Sequence, residues 1–122
     1  MTSQRRAGTI FLKVDGRQYE AVGNFEYNLG TPKRETLMGS SGPQGYKETP
    51  QPAFIAGEIR DSKDLSIKDM AALDDVTATL QLANGKTIVL KQAYYVGEAN
   101  ANSDEGNVPF RLESSLPGEE IK

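Results

Sequence analysis

The 122-residue chain contains no cysteine, no histidine and no tryptophan. Without cysteine there is neither a disulfide framework nor a thiolate metal site. Without histidine the commonest general base and metal ligand is missing, and Ser-His-Asp and Cys-His nucleophile systems are ruled out. An excess of positive charge is also lacking: 14 Lys and Arg stand against 17 Asp and Glu, a net charge of -3. A free nucleic-acid binder carries a clustered basic face, so this balance argues against tight DNA or RNA binding. It is compatible with passive contact, in which mutual repulsion from phosphates is useful. No long hydrophobic run is present either. The first apolar stretch, TIFLKV, is broken at Lys13 and Asp15, too short for a signal segment or a membrane span. The chain is therefore expected to be made in the cytoplasm and not to insert into a membrane by itself. Apolar residues make up 37% and the mean hydropathy is -0.54. This is a soluble composition slightly short of core material, so either part of the chain is disordered alone or a partner completes its surface.

Two turn signals organise what is there. Asp15-Gly16 lies between β-prone runs, as a two-residue hairpin turn demands, and predicts strands over about 8–14 and 17–28. In the second of these Tyr19, Ala21, Phe25 and Tyr27 alternate with Gln18, Glu20, Asn24, Glu26 and Asn28, one face for a core and one for water. Gly23 marks a bulge or bend in it. Asn84-Gly85 predicts a second two-residue hairpin, with strands over about 76–83 and 86–97 and a bend near 91–93. Residues 53–61 read as a strand with Ile55 and Ile59 facing the core, and 107–115 as a last strand that Pro109 places at an edge or at its start. In that strand Val108, Phe110 and Leu112 point one way, Arg111 and Glu113 the other. The stretch DLSIKDMAALDD predicts one helix over 66–75 with Ser66 as its N-cap. The tail GEEIK is expected to be loose. Between the second and third strands, residues 29–52 hold four Pro and four Gly. A loop of that length in a compact domain is functional or disordered, with a short extended hairpin as its one regular option. The fold class is mainly β: an antiparallel β-sandwich or split β-barrel in a single domain over 1–122, with one short flanking helix and the long 29–52 loop.

Chemical motifs are scarce. NANSDEGN at 100–107 has a calcium-loop flavour but lacks the D-x-[DN]-x-[DN]-G pattern and flanking helices, and reads as a solvated turn. GSSGPQG at 39–45 lacks the Lys-Ser/Thr pair and following helix of a phosphate loop. Glu20, Glu26 and Glu58 could neighbour one another across a sheet as a hydrolytic carboxylate set, though a charged sheet face accounts for them as well. No catalytic, metal or cofactor site is expected.

The segments GYKETPQPAFIAGEI and LANGKTIVLKQAYYVGE, with the opening RRAGTIFLKVDGRQYEAVGNFEYN, the helix DLSIKDMAAL and the ending NVPFRLESSLPGEEI, resemble in order the tail tube proteins of Mu-like contractile-tailed bacteriophages. That family is similar to the type VI secretion tube protein. The resemblance implies a structural virion protein of the tail, assembled in the host cytoplasm. Six copies form a ring, each giving four strands to an inner barrel. The rings stack into a tube inside a sheath protein, and DNA passes through the bore without specific binding. Roughly 24 strands ~4.8 Å apart and tilted ~40° close a backbone circle of about 48 Å. Less ~5 Å of side chain on each wall, this leaves about 38 Å, room for a hydrated duplex. Under the resemblance Gln18, Glu20, Asn24, Glu26, Asn28, Glu58 and Arg60 are the candidate bore lining. Leu37, Met38 and Tyr46 are the candidate anchors of a loop that reaches another copy, and MTSQRR and PGEEIK are candidates for added contacts. The alternative is a monomeric β-sandwich that binds a ligand or glycan through the 29–52 loop.

Overall fold

A computed structural model describes residues 10–101, 103–104 and 106–122. The MTSQRR stretch and the first residues of the predicted strand 8–14 lie outside this range, as do Asn102 and Glu105 of the 100–107 turn. Nine strands and one helix follow in chain order: β1 Phe11–Val14, β2 Arg17–Asn28, β3 Lys33–Gly39, β4 Gly42–Thr49, β5 Ala53–Arg60, α1 Ile67–Ala71, β6 Val76–Gln81, β7 Thr87–Tyr95, β8 Asn107–Ser114 and β9 Glu119–Ile121.

The molecule is mainly β, antiparallel, with one short helix. The strands run β6-β1-β2-β5-β8-β7, and β6 pairs with β7 to close a six-stranded barrel, with β9 as an extra strand on β7. This corrects the sandwich half of the expectation. A sandwich needs two ladders facing each other, whereas here β1 bonds both β2 and β6 and β7 bonds both β6 and β8. One continuous ladder of twisted strands therefore curls onto itself.

The turn chemistry accounts for the hairpins. Asp15 and Gly16 both have positive φ, 49° and 84°, the type I′ geometry that matches strand twist. The second hairpin differs from expectation. Gly85 alone is left-handed, at φ 93°. Its N–H donates to the Leu82 carbonyl at 3.0 Å, and the Leu82 N–H donates to the Lys86 carbonyl at 2.8 Å. That is a type I turn followed by a glycine bulge, so the strands stop at Gln81 and restart at Thr87. The predicted helix is shorter than its apolar period. Ser66 caps it, accepting from the Asp69 N–H at 3.2 Å, but Asp75 turns left-handed at φ 54° and the Leu73 carbonyl is taken by the Tyr95 N–H at 3.0 Å. The sheet claims the backbone that a longer helix would use. The tail is not loose: β9 lies on β7, with Lys86–Glu120 at 2.7 Å and Lys91–Glu119 at 3.2 Å across the pair.

The core fills the barrel. Leu12, Ile55, Ile59, Leu80, Ile88, Leu90, Val108 and Leu112 are fully buried, and Met70 of α1 is buried with them. The Phe110 ring sits 5.5 Å from Tyr19 and 5.9 Å from Tyr95, centre to centre. Phe25 lies over Gly57, where an added Cβ would come within 2.5 Å of the ring. Close packing leaves no slack for it. Gly57→Ala is expected to cost about 1–3 kcal/mol, read as a lower denaturant midpoint with an unchanged slope.

The bond from Lys86 holds the Glu120 carboxyl below its ordinary range, and the same bond raises Lys86. Their contribution is therefore complete at neutral pH. It is lost in acid only as pH falls through the lowered Glu120 value, and in alkali as pH rises through the raised Lys86 value. In an acid titration by NMR the Ile121 methyl signal should keep its docked position until below the ordinary carboxylate range. Movement to the free-chain position well above that range would contradict the assignment.

Candidate assembly surfaces: an outer wall and an arm

The wall is built by β2, β5 and β8. In antiparallel strands, residues directly opposite share a face. The pairs Ala21–Ile59, Tyr27–Ile55 and Ile55–Leu112 face the core. The pairs Val22–Glu58, Glu26–Ala56, Asn28–Phe54, Phe54–Glu113, Ala56–Arg111, Glu58–Pro109 and Arg60–Asn107 face outward. Of the sequence-derived lining candidates, Glu20, Glu26, Asn28, Glu58 and Arg60 thus come together on one outer face. Gln18 extends it down β2, and Asn24 sits exposed in the bulge that shifts the register between Val22 and Glu26. Asn28 is half-buried and spends its Oδ1 on the N–H groups of Gly30 at 2.7 Å and Thr31 at 3.1 Å, turning the chain off the wall.

Sequence reading left out the β8 contribution. Alternation sets Arg111 and Glu113 opposite to Val108, Phe110 and Leu112, but only the β5–β8 pairing sets them beside Phe54 and Ala56. Arg111 stacks over the Phe54 ring at 4.2 Å and bonds Glu113 at 2.8 Å. Arg60 bonds Glu20 at 2.7 Å. Four carboxylates (Glu20, Glu26, Glu58 and Glu113) therefore meet two guanidinium groups. Each cation is already paired, and Glu26 and Glu58 remain as uncompensated negative charge. A recess of about 430 Å³ at the lower end, bordered by Gln18, Glu20, Arg60 and Asp64, holds one of these closed pairs. Arg17 borders the same recess and Lys13 lies opposite Gln18, both exposed, so this end of the surface carries cations besides Arg60 and Arg111. Among the described residues no group of three or more acidic side chains gathers as a metal site, and no helix is long and apolar enough to cross a membrane. The GSSGPQG stretch forms the tip of the β3–β4 ribbon.

The wall also has uncovered backbone. β1 pairs with β2 only over 17–20, so among the described residues no strand lies against that side of 21–28. On the far side β7 pairs with β8 only over 112–114, leaving 107–110 without a strand there.

Residues 33–49, inside the stretch read as a loop, form a separate two-stranded ribbon of β3 and β4. It packs mainly on itself, and a Gln51 Nε2 bond to the Thr31 carbonyl at 3.1 Å ties its base. Ion pairs define its faces. Lys33, Glu35 and Lys47 join on one, which Leu37 continues. Arg34 meets Glu48 at 3.4 Å on the other and lies 4.5 Å over the Tyr46 ring, and Met38 continues that face. The three anchor candidates are exposed by 45%, 71% and 54% for Leu37, Met38 and Tyr46. They are split across two faces rather than gathered on one. Because the ribbon supports nothing else, Leu37→Ser and Met38→Ser are expected to shift unfolding by no more than about 0.5 kcal/mol, measured by urea denaturation of the dilute protein.

The phage tail tube protein family model matches residues 3–117. The tail tube protein of Escherichia phage Mu is 23% identical over 105 residues, covering 86% of this chain and 88% of that protein. The fold is similar to a chain of the sheath/tube terminator of an extracellular contractile injection system in its extended state, with a TM-score of 0.63, 9% identity and 93% of each chain covered. A chain of the sheath–tube complex of such a system aligns with a TM-score of 0.61, 10% identity and 99% and 97% coverage. Hcp1 of Flavobacterium johnsoniae aligns with a TM-score of 0.53, 17% identity and 93% and 98% coverage.

Proposed function

The chain belongs to the phage tail tube protein family, and from that premise we propose that it is the protomer of hexameric rings that stack into the inner tube of a contractile tail, through which DNA leaves the particle. It is a structural component of a tail or contractile-injection particle. The observation that carries the finer reading is the β2–β5–β8 wall, which among the described residues has no strand along parts of both its sides. Unpaired strand edges invite association, and a protein that keeps them has a use for them. The two edges belong to different strands, so joining one to the other is a head-to-tail contact, which closes into a ring when the rotation allows.

In this arrangement the outer wall of each barrel becomes the inner wall of the tube. Gln18, Glu20, Asn24, Glu26, Asn28, Glu58 and Arg60 line the bore, with Arg111 and Glu113 beside them. A duplex slides along it because Glu26 and Glu58 repel phosphates and Arg60 and Arg111 are each held by a carboxylate neighbour. The strands opposite, β1, β6 and β7 with β9, then face outward, toward a surrounding sheath. Leu37, Met38 and Tyr46 on the arm are buried only on assembly, and the whole chain works as one tube unit assembled in the host cytoplasm. A two-stranded ribbon alone is marginal in water, which supports a role completed by another copy.

Concentrated protein is expected to form rings and tubes in negative stain. A chain that remains monomeric at every concentration would favour the ligand- or glycan-binding alternative. Removal of residues 34–47 is expected to abolish tubes while circular dichroism keeps the β signal of the barrel. Tubes of normal length from that variant would overturn the docking role of the arm.

A further inference from the structure

We propose that the last residues of the chain act as a strap that fixes the direction of the β3–β4 ribbon and couples it to the β7–β9 side of the barrel. The ribbon packs mainly on itself, so its angle to the barrel is set at its root, residues 29–32 and 50–52. Local bonds serve the two legs of that root. Asn28 Oδ1 accepts from the Gly30 and Thr31 N–H groups, and Gln51 Nε2 donates to the Thr31 carbonyl. A further bond comes from the far end of the chain: the Gly118 N–H donates to the Leu29 carbonyl at 3.0 Å. Gly118 also rests on Leu29 and on Leu90 of β7, where an added Cβ would come within 3.0 Å of a methyl carbon of each. Its neighbour Pro117 packs with Ala53 at Gly30, where a Cβ would touch both at 3.7 Å. Gly30 has a φ of 90°, the left-handed bend that carries the chain off the barrel. The strap therefore crosses the bend about which the ribbon would swing.

Ser114 begins the strap. Its hydroxyl donates to the Lys91 carbonyl at 2.6 Å and accepts from the Leu116 N–H at 3.0 Å, which folds the chain from the end of β8 back along β7. β9 then pairs over 87–89, and Lys86 and Lys91 clamp Glu120 and Glu119. This attachment is weaker than the rest of the sheet. β9 has three residues, all exposed, and nothing after Ser114 is buried. Exposed ion pairs contribute little each, and a segment without buried apolar contacts opens well below global unfolding. The barrel can therefore release β9 and stay folded. Release removes the Gly118 bond and the packing at Gly30 together, and frees the ribbon at its root. The ion pairs of the ribbon lie within it and play no part in this hold. Coupling between two sites is reciprocal. A contact that pulls on β9 loosens the ribbon, and one that holds the ribbon at a new angle loosens β9. This coupling belongs to the single protomer and does not depend on the ring reading.

The absence of cysteine lets two spin labels be placed without background. One goes on Ser41→Cys at the ribbon tip and one on Lys68→Cys of α1, both exposed positions. In dilute protein, where copies do not meet, the otherwise wild-type chain should give one narrow label-to-label distance. Glu119→Lys with Glu120→Lys should detach β9, seen as the Ile121 methyl signal moving to its free-chain position. The same pair should broaden the distance distribution about twofold, with circular dichroism unchanged. Adding Lys86→Glu and Lys91→Glu should restore both readings. A detached β9 with the distance still narrow would overturn the strap, and so would a distribution already broad in the wild-type background. Where charge reversal leaves β9 in place, removal of residues 118–122 decides the matter. The narrow distance should then be lost, and its survival would overturn the proposal.

Discussion

The hydrogen bonds between β6 and β7 close the barrel, and the rest of the molecule depends on where that closure leaves backbone unpaired. Closing six staggered strands shifts each ladder along its neighbour. Among the described residues β1 is four residues long and β2 twelve, so β1 covers only one end of β2 there. The same stagger lets β7 reach only the last part of β8. A corresponding gap along β7, at 87–89, is filled by the chain's own β9. One gap is sealed from within, and among the described residues those on either side of the β2–β5–β8 wall are not. This difference separates the covered side of the protomer from the side that the proposed ring would use.

A closed core leaves the remaining groups free of any packing duty. Tyr19, Phe25 and Phe110 pack inside with the aliphatic residues, Tyr95 packs against them half-buried, and no buried side-chain polar atom among the described residues lacks a partner. The barrel does not need the ribbon of β3 and β4, and the ribbon does not touch the barrel's core. Its apolar groups can therefore stay exposed in the free protomer without weakening it. The wall follows the same logic in charge. Arg60 and Arg111 are each held by a carboxylate neighbour, which weakens the grip of these two cations on DNA in the proposed tube. Membership of the tail tube family and this division of labour point the same way.

Much of this was legible along the chain. Alternation in 17–28 separated Tyr19 and Phe25 from Glu20 and Glu26, because a strand's period of two is a local property. Ile55 and Ile59 were placed in the core for the same reason. Asp15-Gly16 specified its turn through the positive φ both residues tolerate. Other features were not local. Asn84-Gly85 carries the same signal as a two-residue turn, yet the hydrogen bonds of Leu82 make it a longer one. The helix period ran on past Ala71, but β7 captured the Leu73 carbonyl. The tail composition looked loose because nothing in it announces that Lys86 and Lys91 are opposite Glu119 and Glu120.

The sequence by itself determined which residues face in and which face out, where the chain turns, and that no histidine, cysteine or clustered positive charge is available for catalysis or for gripping nucleic acid. These follow from backbone sterics and composition, which act over a few residues. Only the tertiary structure decided that the strands close into one barrel, that Arg111 and Glu113 share a wall with Glu26 and Glu58, and that Leu37 and Tyr46 lie on opposite faces of the arm. Those depend on which strands pair and in what register, and pairing is settled by burying the whole core at once.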